Sequence, residues 1–252
     1  MNGAQRIIGP PAVLLLAAVL NGSTQILLGA EAVGAETIAR AMAAVSGRVT
    51  LAGNIPTPKP LPVFKNRSFC GSQVANETLL VGRDGAVKNA VVILRATDRP
   101  ATATQPIRLV LDNKRCAFAP HVQVAPVRSE LLLKNSDPIL HTVHARLGAE
   151  TLFNVGLPKW REVTKRLDRA GVIRIDCDVL HTWMSAAIIV TDTPYVAVTD
   201  ENGTFAIDQM PVGQYRGEIW HEKLGTKTMQ LSVTANSLVS LDIVYAVNEN
   251  FR

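Results

Sequence analysis

From Val45 onward, hydrophobic and polar positions alternate in short stretches that are cut by Gly, Pro, Asn and Asp. Such alternation marks half-buried strands, because successive side chains leave a sheet on opposite faces. Val45, Val49 and Leu51 fall on one face, and Asn54-Ile-Pro-Thr-Pro-Lys-Pro-Leu-Pro62 then reads as an extended connection. Val87–Leu94 is an apolar run that follows the turn signal Asp84-Gly85. Val122–Ala125, Leu131–Lys134 and Ala186–Val190 read as further strands. In Val172-Ile-Arg-Ile-Asp-Cys177, the residues Ile173, Ile175 and Cys177 share a face, so the cysteine follows two core positions. Only the N-terminal leader and Glu36–Ala44 look helical. The expected fold class is all-β.

A boundary is expected near Thr193-Pro194. Beyond it, the turn signals Asp200-Glu-Asn-Gly203 and Pro211-Val-Gly213 separate strands at Thr204–Ile207 and Tyr215–Trp220. Two more alternating stretches follow, Met229/Leu231/Val233 and Val239/Leu241/Ile243. The organisation expected is a leader over residues 1–32, a first β-domain over 45–193 and a second over 194–252. The second is short for an independent domain and is expected to pack on the first.

Composition is that of a globular chain, 47% hydrophobic and 19% charged, which excludes a disordered tail. The N-terminus has the parts of an export signal. Arg6 supplies a positive charge, Ala12–Leu20 a short apolar stretch and Ala30-Glu31-Ala32 a cleavage pattern. Asn21-Gly-Ser-Thr-Gln25 breaks the apolar run before the roughly 20 residues a membrane span needs. The reading is a periplasmic or otherwise exported protein with no stable membrane span once the leader is removed. Net charge is +5, which suits electrostatic steering toward an acidic partner. The basic residues are scattered and no recognition motif appears, so nucleic acid is not expected. The densest basic run, Lys159–Arg169, also carries Glu162 and Asp168 and reads as a solvated loop or short helix.

The three cysteines sharpen this picture. Cys70 and Cys116 can pair, and such a bridge closes a loop that the chain-entropy model values at roughly 4 kcal/mol. Cys177 is then left over, and metal ligation is a good reason for an odd cysteine in an exported chain. Its surroundings support that reason. Cys177-Asp-Val-Leu-His181-Thr-Trp-Met184 places a thiolate, an imidazole and a thioether within eight residues. Another imidazole stands in Asn135-Ser-Asp-Pro-Ile-Leu-His141-Thr-Val-His144. Soft sulfur donors with imidazole favour copper, and two His and one Cys with a weak axial Met form an electron-transfer set. Thr142 and His144 share a strand face opposite His141, which makes His144 a candidate only for an extra or supporting ligand. Trp183 would shield the ion from water, while Asp176 and Asp178 are expected to face solvent. No Ser/His/Asp triad, paired-carboxylate cleft or phosphate loop points to an enzyme.

Several of these residues together resemble the cupredoxin pattern. They are Phe118-x-Pro120, Leu131-x-x-x-Asn135, His141-Thr-Val, Gly171-Val-Ile-Arg-Ile-Asp-Cys177 and His181-x-x-Met184. The resemblance implies a Greek-key β-sandwich with His141, Cys177 and His181 as strong equatorial ligands and Met184 as the weak axial one. The C-x₃-H-x₂-M spacing is one residue longer than the C-x₂-H-x₂-M of short-loop members, Val179 or Leu180 being the insertion. His121, which opens a strand at the expected metal pole, becomes another candidate supporting or extra ligand. Phe69-Cys70-Gly71, Cys116-Ala-Phe-Ala-Pro-His121-Val and Trp220-His221-Glu222 extend the likeness. With them the chain resembles bacterial exported plastocyanin-like proteins, sometimes labelled methylamine-utilization proteins. Ala197-Val-Thr-Asp200-Glu-Asn-Gly203-x-Phe205 and Met210-Pro-Val-Gly-Gln-Tyr215 are similar to the carboxypeptidase regulatory-like (transthyretin-like) β-sandwich. That fold implies no catalytic role, and His221 is expected to be an exposed strand residue.

The function expected is one-electron transfer by one copper ion, Cu(I)/Cu(II), with a c-type cytochrome or another acidic periplasmic redox protein. The rival is copper storage or delivery with His121, His144 and Met184 widening the ligand set, and a third reading is a structural interaction module.

Overall fold

The computed structural model describes residues 42–55 and 58–247. The leader and most of the stretch expected to be helical lie outside the described residues. Four large sheets stack face to face and share three apolar layers. The second sheet carries strands Val91–Ala96, Val196–Val198, Gly213–His221 and Gly225–Val233. The third holds Val122–Pro126, His141–Leu147, Glu150–Leu157, Gly171–Asp176 and Ser185–Thr191.

Burial explains the sequence pattern in these middle layers. Ala186–Thr191 is buried at every position, because Ile188 and Val190 face one layer while Ala187 and Ile189 face the other. Val91–Leu94 is continuous for the same reason, Val92 and Leu94 on one side and Val91 and Ile93 on the other. Continuous apolar runs mark strands covered on both faces, and alternating runs mark outer sheets.

Outside the third sheet lies Arg108–Lys114, Ala117–Ala119, Ser129–Asn135 and Glu162–Leu167, and between the two is the core containing Phe118, Leu131, Leu133, Ile175 and Cys177. The run Lys159–Arg169 is thus corrected. Glu162–Leu167 is an edge strand paired with Ser129–Asn135, with charged Glu162 and Arg166 and polar Thr164 facing outward. Charge on an edge discourages pairing with other chains.

The outermost layer on the opposite side corrects the boundary at residue 193. Met42–Ala52 pairs antiparallel with Thr204–Pro211 and parallel with Leu238–Ser240 and Ile243–Ala246. Val91–Ala96 likewise pairs with Val196–Val198 and Gly213–His221. The first and last described parts of the chain therefore build one sandwich together, and residues 108–191 supply the strands of the other. Alternation tells which face of a strand is buried and leaves its pairing partner open, so the sequence grouped neighbours. Met42–Ala44, expected to be helical, is strand for the same cause: cross-strand pairing overrides the helix preference of Met and Ala.

The turns do what their residues require. Asp200 Oδ1 accepts the N–H groups of Asn202 and Thr204, and Gly203 has φ 71°, where an added Cβ would lie 2.5 Å from the Val49 carbonyl. Tyr215 is fully buried, and its hydroxyl donates to Pro211 O at 2.7 Å. Tyr215→Phe is expected to cost about 1–2 kcal/mol, seen as a lower urea midpoint with an unchanged slope.

Candidate metal centre

Sheet register brings three of the expected ligands together. Gly171–Asp176 and Ser185–Thr191 are antiparallel neighbours, so residues 177–184 form the loop at their common end. His141–Leu147 pairs antiparallel with Gly171–Asp176 on the other side, so its start lies beside the end that leads into Cys177. Thr142 N–H reaches Cys177 Sγ at 3.4 Å, and its hydroxyl lies 3.7 Å from that sulfur. Within the loop, Met184 N–H donates to His181 O and Leu180 takes the left-handed conformation, φ 66°. That positive φ lets the long loop turn while Leu180 points outward.

The three donors converge. His141 Nδ1 and His181 Nδ1 are 3.0 Å apart, and Cys177 Sγ is 3.9 Å from the first and 3.7 Å from the second. A triangle with these edges has its centre about 2.1 Å from every corner, inside the range of about 2.0–2.3 Å for metal–imidazole and metal–thiolate bonds. All three residues are buried, and among the described residues they are the one group of three His, Cys, Asp or Glu that could hold an ion. Two imidazole nitrogens facing each other at this distance need a proton or a cation between them. The residues fit a metal.

Each ring is fixed from behind. His141 Nε2 donates to Asp137 Oδ2 at 3.0 Å, and His181 Nε2 donates to Asn66 Oδ1 at 2.8 Å. These bonds set the tautomer, placing each proton on Nε2 and leaving Nδ1 for the ion. Asp137 in turn accepts the N–H groups of Arg115 (2.7 Å) and Cys116 (2.8 Å), while its own N–H donates to Asn135 Oδ1. Asn135 completes the loop by donating to Ile139 O and Leu157 O.

Without an ion, the electrostatics favour an ionised sulfur, a proton on His141 and a neutral His181. Burial opposes ionisation of Cys177, but His141 and the N–H groups of Thr142 and Val179 outweigh it and hold the thiol below its ordinary range. Burial alone would depress His141, yet hydrogen bonds to Asp137 and Cys177 raise it. Burial, then the charges of His141 and Lys65, push His181 down to about 4, so it is neutral at pH 7 with a lone pair to give. Burial would raise Asp137, and His141 with the two backbone N–H groups holds it low. The site offers a thiolate-prone sulfur and two oriented imidazoles.

The remaining expected residues fall into place differently. Met184 is buried in the same apolar core as Cys177 and Trp183. Trp183 lies with its ring 5.0 Å from that of His181 and donates Nε1–H to Cys116 O, which fits a shielding role. Cys70 and Cys116 form a disulfide, and Cys177 is free and buried. His144 and His121 are outside the donor group. His144 bonds Thr151 and lies 2.9 Å from Asp178, because its strand position turns it to the other face. His121 sits 2.6 Å from Glu222, joining the two inner sheets. His221 is buried rather than exposed. Its Nδ1 accepts the N–H of Lys223, and burial lowers it to about 4. Asp176 pairs with Arg146.

Sequence reasoning missed Asp137 and Asn66. Asp137 had a local signal, an Asx-type loop Asn135-Ser-Asp-Pro138 just before His141. Asn66, 115 residues from its partner, had none.

No protein-family model matches the chain, and no curated protein matches it. Solved structures similar to part of it include a copper-containing nitrite reductase from Thermus scotoductus SA-01, at 18% identity and TM-score 0.31 over 38% of this chain. A novel purple cupredoxin from Nitrosopumilus maritimus aligns at 18% identity and TM-score 0.29 over 33% of this chain. A reduced amicyanin variant does so at 18% and 0.30 over 39%. The chain spans 25% of the nitrite reductase and 98% of each of the other two.

Proposed function

We propose that this chain is an exported copper protein that carries one electron at a time, its single ion alternating between Cu(I) and Cu(II). The observation that carries the proposal is the buried triangle of His141 Nδ1, Cys177 Sγ and His181 Nδ1. Thiolate and imidazole donors, with the thioether of Met184 three residues after His181, select copper among the available metals, and bound copper would supply the one-electron chemistry. The chain supplies the rest. Asp137 and Asn66 hold the imidazoles, Thr142 holds the sulfur, and burial keeps water from the donors. Ligands held this way need little rearrangement when the ion changes charge, which favours electron transfer over delivery. The extra donors a delivery site would use are occupied elsewhere, His121 by Glu222 and His144 by Thr151 and Asp178.

The disulfide and the leader pattern support an oxidising compartment such as the periplasm. Among the described residues, no helix is long and apolar enough to cross a membrane. Leu140 and Leu180, each next to one of the donor histidines in the chain, are exposed, as are Phe64 beside Lys65 and Trp160 between Lys159 and Arg161. Exposed apolar side chains with basic residues beside them in the chain suit an acidic redox partner, such as a c-type cytochrome.

Voltammetry of the copper-loaded chain tests this reading. A reversible one-electron wave and rapid reduction by a reduced c-type cytochrome are expected. Cu(I) that passes to an apo-acceptor without such a wave would instead mean delivery.

A further inference from the structure

Residues 61–74 form a strap whose ends pair as two short strands, Leu61–Pro62 with Gln73–Val74. Val63 N–H donates to Ser72 O, and Arg67 Nε–H donates back to Val63 O, so the strap closes on itself. At its tip Asn66 adopts a left-handed conformation, φ 57°, ahead of the single helical turn Arg67–Cys70. The N–H groups of Phe69 and Cys70 donate to Asn66 O, and this turn aims the Asn66 side chain at His181 Nε2. His181 is fully buried.

Cys116 is where the strap meets the rest of the centre. Its sulfur is bonded to Cys70, its N–H donates to Asp137, and its carbonyl accepts Trp183 Nε1–H. Asp137 holds His141, and the Trp183 ring lies against His181. One residue thus ties the support of the first imidazole to the clamp on the second.

We propose that the strap is a clamp on the metal centre: Asn66 is the positioning residue for His181, and the Cys70–Cys116 disulfide couples that clamp to Asp137 and His141, so that retention of the ion depends on both. This rests on the reading of the triangle as a metal site. A ligand imidazole that loses its supporting acceptor can turn, and removing such a partner lowers affinity roughly 10–100-fold. Asn66 and the disulfide act through one tie, so their effects overlap.

Two measurements on the full chain test the clamp. The first is the rate at which excess EDTA strips Cu(II), followed by loss of the thiolate-to-copper band. Asn66→Ala should speed stripping about 10–100-fold, and Asn66→Asp, which keeps an acceptor, should restore slow release. Replacing both Cys70 and Cys116 by alanine should also speed it, and adding Asn66→Ala in that background should change little more. Wild-type stripping in Asn66→Ala, or acceleration factors that multiply, would overturn the proposal. The second is ¹⁵N NMR of His181 in the metal-free chain, which needs no ion and keeps the disulfide. The wild type should show a protonated, slowly exchanging Nε2, and Asn66→Ala should lose that slow exchange. An unchanged Nε2 signal in Asn66→Ala would contradict the clamp. Failure of the wild type to bind copper would contradict only the metal reading, since the NMR result still decides the role of Asn66.

Discussion

Cys177→Ser is expected to abolish the intense visible absorption of the copper-loaded chain. The absorption arises from charge transfer out of a thiolate, and a serine hydroxyl stays protonated at neutral pH and is a harder donor. Three features prepare Cys177 for this role: burial in the core, the Thr142 contacts at 3.4 and 3.7 Å, and the nearby His141 that favours the ionised form. Loss of copper affinity should exceed the roughly 10–100-fold that follows loss of a hydrogen bond behind a ligand, because here a ligand itself is gone. The fold should survive, since the two side chains are close in size. Cys70→Ser should keep the colour even while the ion is released faster. An absorption titration of the two variants checks this, and equal loss of colour in both would mean that the wrong cysteine has been assigned to the metal.

Asp137→Ala is expected to damage both the fold and the site. The carboxylate is almost fully buried and accepts from Arg115 N–H, Cys116 N–H and His141 Nε2–H. Alanine leaves three donors without an acceptor at about 1–3 kcal/mol each before water relieves some of them, so a net loss of roughly 3 kcal/mol is expected. For a chain of this size that lowers the melting temperature by about 6–12 °C. Copper binding should weaken at the same time by roughly 10–100-fold, because His141 loses the bond that keeps its proton on Nε2. Asp137→Asn can still accept hydrogen bonds and should recover much of the stability. Differential scanning calorimetry with and without copper separates the two effects, and an unchanged melting temperature in the metal-free Asp137→Ala variant would remove Asp137 from the framework.

The parts of the proposed site that could be read from the sequence were the local ones. Cys177, His181 and Met184 lie in one loop, and the alternation of Ile173 and Ile175 placed that loop at a strand end facing the core. His141 was accessible for the same reason, as the first residue of a strand after a turn. The residues that hold these ligands were harder to see. Asn66 meets His181 through a strap that a disulfide anchors far along the chain, and no periodicity encodes such a meeting. His121 and His144 carried the right chemistry, and only the direction of their side chains, set by pairing and register, sent them to Glu222, Thr151 and Asp178.

The same distinction holds for the fold. Burial on one face was legible as alternation, whereas the pairing of Met42–Ala52 with strands beyond residue 203 was not. One clue did point beyond neighbouring strands. The unbroken apolar runs at Val91–Leu94 and Ala186–Val190 signal coverage on both faces, which a pair of separate two-layer sandwiches would not require. Lys159–Arg169 misled because its charges mark an edge strand as readily as a solvated loop.

The most direct measurement of the central claim is X-ray absorption at the copper edge on the purified chain loaded with one equivalent of copper. One sulfur and two nitrogen scatterers at about 2.0–2.3 Å are predicted, the sulfur disappearing in Cys177→Ser. A coordination shell of oxygen and nitrogen alone, with Cys177 shown to be reduced, would contradict it.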